Sequence, residues 1–448
     1  MKEIPLFSSK TRNQIAKQVF LGFAVAIFIG SLILSIPQMT EGGKISYIDA
    51  VFTSTSSICV TGLIVQDTPT YFTDIGKIII LIMIQLGGLG IMTVGSIFGL
   101  LLGRKINIRD KFYISSSFGT KQPFSTYKFF MVIAATTFAI EFIGFILMSA
   151  IFYFKYCYPL KSAFTFGLFH TVSAFNNAGF SLYSSSLRSF SGDIPLNLLF
   201  MLLIFLGGIG FPVISEIIAF KRIKNLSLHS KVVLTMSFGL IITGALLFFL
   251  LEFKNSQSIG NLPVSTKILS SFFQSVTART AGFNTMHISK LNYSTLFMLA
   301  MFMFIGASPG GTGGGIKTTT FAAVAAGILS SLRGRKHVTF WRKRLPESLI
   351  QRALTITFVA IAIIFFSTIA ILTFEKCSLT EAFFEVVSAF GTVGLSTGIT
   401  PALTAQSKII LILCMFIGRI GISTLSVAIA IRGTVNKIIY PEDTMTIG

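Results

Sequence analysis

Ser271–Phe283 reads SFFQSVTARTAGF, and stretches of the same kind occur three more times: VFTSTSSICVTGL at Val51–Leu63, LFHTVSAFNNAGF at Leu168–Phe180 and FFEVVSAFGTVGL at Phe383–Leu395. Each places a phenylalanine ten positions before a glycine: Phe52 and Gly62, Phe169 and Gly179, Phe272 and Gly282, Phe384 and Gly394. A second pattern follows each one: QLGGLG from Gln85, FLGGIG from Phe205, FIGASPGG from Phe304 and FIGRIG from Phe416. Close helix packing explains a single small residue in a membrane protein. It does not explain four glycines in one register, so one unit has been used four times.

The surroundings of these stretches place them in a membrane. Of the 448 residues, 52% are hydrophobic and only 12% charged, against about a quarter charged in soluble domains. Apolar runs long enough to cross roughly 30 Å of hydrocarbon lie at 19–37, 75–102, 130–154, 196–220, 232–252, 294–332 (interrupted), 353–374 and 408–431. Eight crossings put both ends of the chain on the same side. With both termini in the cytoplasm, the inner segments hold 23 of the 36 Lys and Arg, the positive-inside bias. The formal charge of +20 is therefore chiefly a topology signal, with contact to membrane lipid secondary, and no nucleic-acid partner is expected. Lys2, Lys10, Arg12 and Lys17 precede a first apolar run that ends in LSIPQMT without a small-residue cleavage pattern, so an uncleaved first span is expected. Cys59, Cys157, Cys377 and Cys414, like His170, His229, His287 and His337, are scattered without metal-ligand spacing.

Each unit reads as an outer helix, a short re-entrant helix of roughly ten to twelve residues, a glycine turn with a polar return such as IVQDTPT or NTMHISK, and an inner helix. The expected fold is an all-α polytopic membrane protein. Four helix–pore-loop–helix repeats, with eight transmembrane helices and four re-entrant pore helices, surround a central pore with pseudo-fourfold symmetry. The repeats are expected over 1–112, 113–225, 226–335, with a broken inner helix, and 336–448.

The turns are VTGL (Val60, Thr61, Gly62), NAGF (Asn177, Ala178, Gly179), TAGF (Thr280, Ala281, Gly282) and TVGL (Thr392, Val393, Gly394). None carries a carboxylate, which argues against an acidic ring for calcium. What they share is backbone that a glycine can bend into conformations closed to other residues, so that carbonyl oxygens can replace the water around a weakly hydrated monovalent cation. Each short helix would also aim its negative C-terminal end at the cavity. The expected cargo is potassium, or potassium with some sodium. No organic cofactor is expected.

At VTGL, NNAGF, RTAGFNT and GTVGLSTG the sequence resembles the Trk/Ktr/HKT superfamily of potassium transporters, most closely the bacterial Ktr-type membrane subunit, over essentially the whole chain. The resemblance implies that the four turns form a selectivity filter, with a glycine in all four going with potassium preference. It also implies a homodimer in the cell membrane, controlled by a separate cytoplasmic ring that binds nucleotides. The basic stretch SLRGRKHVTFWRKR, Ser331–Arg344, reads either as a docking surface for such a ring or as a solvated inner loop.

The third inner helix is interrupted by GASPGGTGGGIK: Gly306, Ala307, Ser308, Pro309, Gly310, Gly311, Thr312, Gly313, Gly314, Gly315, Ile316 and Lys317. A phosphate loop needs Lys directly after its last glycine and a preceding strand; Ile316 intervenes and a membrane helix precedes. A structural swivel and a gate beneath the filter both remain, and the family resemblance implies the gate. Arg419 is a charge inside an otherwise apolar inner helix. It either snorkels to an interface or faces the axis, where it repels cations and can hydrogen-bond carbonyls of the glycine loop; the resemblance implies that this position narrows the pathway. Lys317 is a weaker gate candidate, and neither Glu141 nor Glu385 is assigned to ion coordination.

An alternating-access secondary transporter is the competing class, since broken helices occur there too, but it predicts inverted repeats, whereas all four units here run the same way. No paired acids, histidine cluster or nucleophile with a base recurs in the spans, so no enzyme and no catalytic residue is expected.

Overall fold

The computed structural model describes residues 9–90, 126–219, 226–335, 337–422 and 424. The chain is mostly helical. Its longer helices fall into four successive groups: α1 (Ser9–Leu34), α2 (Tyr47–Ile58) and α3 (Asp74–Leu89); α4 (Thr126–Ala150), α5 (Leu160–Phe175), α6 (Ile194–Ile209) and α7 (Phe211–Ala219); α8 (Leu228–Glu252), α9 (Val264–Thr277), α10 (Tyr293–Phe304) and α11 (Thr318–Leu332); α12 (Glu347–Phe374), α13 (Leu379–Gly391) and α14 (Ala405–Ile420). A two-stranded hairpin, β1 (Thr339–Phe340) and β2 (Lys343–Arg344), joins α11 to α12.

Helix starts follow local chemistry. Ser46, Thr73, Asp193, Ser227 and Thr404 each accept a hydrogen bond from a first-turn amide of α2, α3, α6, α8 and α14, satisfying a donor that the helix cannot. Ser378 and Glu381 form a reciprocal capping box on α13.

Four described helices are long and apolar enough to cross a membrane, and each leads its group: Lys17–Leu34, Met131–Lys155, Leu228–Glu252 and Glu347–Phe374. They carry rows of exposed apolar side chains, among them Phe28, Phe142, Leu250 and Phe366. Apolar surface of that extent suits lipid rather than water. The short helices α2, α5, α9 and α13, of 12, 16, 14 and 13 residues, are buried toward their C-terminal ends.

Two expectations are corrected. The run at 196–220 is not one continuous helix. It bends by 101° between α6 and α7, at Gly210, whose φ is +91°; the freed amide of Phe211 donates to the Gly310 carbonyl instead (3.0 Å). The second group is thus broken as well as the third, and α3 and α14 end at positive-φ glycines, Gly90 and Gly421. The second correction concerns Phe272. It is 39% exposed, and Phe273 takes the buried place at 0% that Phe52 and Phe384 fill in their groups. The turn is reached one residue sooner there: the amide of Ala281 bonds the carbonyl of Thr277, whereas Thr61, Ala178 and Val393 reach back five residues, to Ser56, Ser173 and Ser388.

The expected continuation of the first inner helix to residue 102, the basic residues from Arg104 to Lys121, the repeat boundaries at 112–113 and 225, and the last span beyond residue 424 lie outside the described residues.

Candidate functional site: a ring of four turns and the loop beneath it

The four short helices end at one place. At each turn the first residue is left-handed: Val60 (φ 50°), Asn177 (57°), Thr280 (75°) and Thr392 (50°). Only Asn among these takes that region readily; a β-branched side chain there costs energy and persists where the surroundings impose it. The glycine two residues later is also at positive φ, +87° at Gly62, +72° at Gly179, +78° at Gly282 and +89° at Gly394.

These glycines close a ring. A methyl added to Gly62 would lie 2.5 Å from the Ala178 carbonyl oxygen; one on Gly179, 2.8 Å from that of Ala281; one on Gly282, 2.5 Å from that of Val393; and one on Gly394, 2.2 Å from that of Thr61. The order runs once round the four groups and returns to the first. Any side chain would displace the neighbouring turn, so the ring requires glycine at all four places.

Hydroxyls that the sequence reading passed over fix the turns from behind. Ser56 and Ser388 accept from the amides of Gly62 and Gly394 (both 3.1 Å). Ser173 and Thr277 donate to the carbonyls of Phe180 and Phe283 (2.7 and 2.6 Å). The signal was present as a serine six residues before the glycine in three of the four stretches. Glu385 is fully buried and accepts from Ser396, Thr400 and both the amide and the hydroxyl of Thr397, so it binds the polar return to α13. Glu141 accepts from Gln85 and Asn176 (3.0 and 2.9 Å), joining the first and second groups. Neither carboxylate lies in the turns.

All four glycines line one cavity of about 280 Å³, with Asp67, Ser184, Arg188, Asn284 and His287 among its walls. Arg188 donates to the His287 ring (2.6 Å to Nδ1). Burial first, then Arg188 and Lys290, hold His287 below its ordinary pKa. Four helix C-termini converge behind the ring, each equivalent to roughly half a negative charge. The centre therefore offers partial negative charge without a carboxylate.

On the other side of the ring lies the segment Gly306–Lys317. It opens and closes on itself through Gly306 N to Ile316 O (2.9 Å) and Ile316 N to Phe304 O (3.3 Å). Between these it reaches three groups. The amides of Ser308 and Thr312 donate to Gly208 and Gly207 (3.0 and 3.1 Å), and that of Gly315 donates to Gly418 (3.3 Å). Gly314 donates to the Thr392 hydroxyl (2.8 Å). A methyl on Gly313 would lie 2.0 Å from the Thr280 hydroxyl. Lys317 Nζ donates to Gly313 O (2.7 Å). Arg419 is half-buried and donates to the carbonyls of Thr312 and Gly87. The structure thus brings the sequence-selected turns and loop residues into one axial stack, with Arg419 clasping the loop.

Comparison with known proteins comes to the same place. The family model for TrkH, a cation transport protein, matches residues 2–438. The chain is 36% identical over 428 residues to Ktr system potassium uptake protein B of Bacillus subtilis strain 168, covering 96% of this chain and 95% of that protein. It is 31% identical over 434 residues to the potassium/sodium uptake protein NtpJ of Enterococcus hirae, with 95% and 96% covered. Its fold is similar to the crystal structure of the potassium transporter TrkH from Vibrio parahaemolyticus, with a TM-score of 0.69 and 19% identity over 96% of this chain and 86% of that one.

Proposed function

The chain belongs to the TrkH family of cation transport proteins, and from that premise we propose that it is the ion-conducting subunit of a potassium uptake system. The observation that carries this reading is the closed ring of four positive-φ glycines, each against the next turn's carbonyl. In this reading Thr61, Ala178, Ala281 and Val393, with the residues that flank them, offer main-chain oxygens to a dehydrating potassium ion. The names of the relatives, potassium uptake for one and potassium/sodium uptake for another, support potassium as cargo and sodium as a second candidate.

The finer architecture belongs to the same proposal. The four groups act as four repeats, divided near residues 112, 225 and 335. Each has an outer span, a re-entrant pore helix (α2, α5, α9 or α13) and an inner span, interrupted in the second and third, giving eight crossings with both termini in the cytoplasm. The segment Gly306–Lys317 with Arg419 is read as the gate, a reading supported by its place beneath the ring and its bonds to the second, third and fourth groups. Homodimerisation and control by a cytoplasmic nucleotide-binding ring are part of the reading through the Ktr likeness, and the basic hairpin region Ser331–Arg344 is the docking candidate.

Complementation of a potassium-uptake-deficient bacterium tests it. The wild-type chain, with its regulatory subunit, restores growth in low potassium. Gly282→Ser and Gly394→Ser lose that growth or lose discrimination against sodium. Equal performance of wild type and both variants across potassium and sodium concentrations would overturn the filter assignment.

A further inference from the structure

The loop beneath the ring does more than lie in the path; it is bonded to the ring itself. Three of the four turns begin with a polar residue, Asn177, Thr280 or Thr392, and these side chains belong to the loop-facing rim. The Thr392 hydroxyl accepts from the Gly314 amide at 2.8 Å. The Thr280 hydroxyl sits against Gly313, closely enough that any Cβ there would strike it at 2.0 Å, and lies 3.0 Å from the Asn177 amide group. Asn177 shares its neighbourhood with Thr312, since both approach the same face of Gly207. The remaining turn, in the first group, begins with Val60, which has no polar group to give. There Arg419 spans from the Thr312 carbonyl to that of Gly87, in the first group. The loop is thereby fastened toward all four groups, and by bonds of different kinds.

Resting on the filter and gate reading above, we propose that Thr392 is a positioning residue that latches the closed loop to the filter turn, so that ring geometry and gate position are coupled. The left-handed backbone at Thr392, φ 50°, is what turns its hydroxyl toward Gly314. A loop that moves away must give up this bond, and a turn that shifts its backbone loosens the loop. The carbonyls used by the ion and the hydroxyl used by the gate are on the same three-residue turn. Loss of one neutral hydrogen bond corresponds to roughly a fivefold change in the closed-to-open ratio.

The test is a double-mutant cycle on the full chain reconstituted in liposomes, reading potassium flux down a fixed gradient. Thr392→Val, which keeps the shape and removes the acceptor, is expected to raise basal flux about fivefold, whereas Thr392→Ser, which keeps the hydroxyl, is expected to raise it distinctly less. In a background lacking Thr312–Gly315 flux is already raised, and Thr392→Val is expected to add nothing. Wild-type flux in Thr392→Val, or the same increment with and without the loop, would overturn the latch while leaving the gate standing. Unchanged flux on deleting the loop would instead overturn the gate reading beneath it. Should Thr392→Val fail to fold, Gly314→Ala carries the test from the loop side: its methyl would lie 2.6 Å from the Thr392 hydroxyl and must push the loop off that turn, and flux that fails to rise refutes the coupling.

Discussion

Glycine in the ring of four turns is defined by what a methyl would strike. At Gly394 it would meet the Thr61 carbonyl at 2.2 Å in a backbone already at φ +89°, and the left-handed conformation alone costs a residue with a Cβ roughly 1–2 kcal/mol. The hydroxyl behind the turn is a gentler lever. Ser388 accepts from the Gly394 amide at 3.1 Å, and its removal leaves a buried donor unsatisfied, at a cost of about 1–3 kcal/mol. Ser388→Ala is therefore expected to fold, to keep conducting and to discriminate less between potassium and sodium, because the carbonyls of Val393 and its neighbours are held less firmly. Ion-substitution flux measurements check this; unchanged selectivity would separate the hydroxyl from the filter. Ser56 makes the same bond to Gly62, so the prediction extends to the first group.

Helix packing supplies the next constraint. The helices α3, α6 and α14 approach the short helices α2, α5 and α13 at glycines: methyls on Gly87, Gly207 and Gly418 would lie 2.0, 1.8 and 1.8 Å from the carbonyls of Ile58, Phe175 and Phe390. Each carbonyl belongs to the end of the short helix in the same group. Backbone meets backbone here, and no flexible side chain can yield. Gly418→Ala must therefore separate α14 from α13, and overpacking of a filled core costs typically 1–3 kcal/mol. A lower thermal midpoint in detergent is expected, with Ala at the open position Gly239, where an added methyl meets nothing within 4 Å, serving as a control that stays near wild type. The third group departs from this pattern. Gly306 packs against Gly314 and Gly315 of its own loop, so the position that elsewhere braces a short helix there braces the loop.

The whole molecule closes through contacts between groups far apart in sequence. Lys408 on α14 and Asp49 on α2 form an ion pair at 2.7 Å with side chains only 12% and 10% exposed, joining the fourth group to the first. Glu141, Gln85 and Asn176 join the first to the second, and Leu187 N donates to Asn284 O at 3.0 Å between the second and third. Removing one member of a buried pair leaves the other uncompensated. Asp49→Asn is expected to destabilise the fold by up to about 3 kcal/mol, the lower end of the range for buried pairs, because both side chains keep some water. The thermal midpoint of the double variant Asp49→Asn, Lys408→Met should recover part of the loss; a single variant as stable as wild type would mean that the pair does not fasten the ring.

The sequence alone carried what depends on chain-local repetition. Run lengths and hydropathy gave the membrane, and the recurrence of Gly62, Gly179, Gly282 and Gly394 marked four turns of one kind, because a backbone requirement imposed four times leaves the same residue four times. Tertiary structure decided what depends on neighbours distant along the chain. It set the cyclic order of the turns, the bend at Gly210 that releases Phe211 to the Gly310 carbonyl, the exchange of Phe272 for Phe273 in the core, and the bonds that Arg419 and Thr392 make to a loop 78 to 107 residues before them. A hydrogen bond or a van der Waals limit is a relation between two positions, and the spacing of letters in one stretch holds no record of which other stretch will lie 3 Å away.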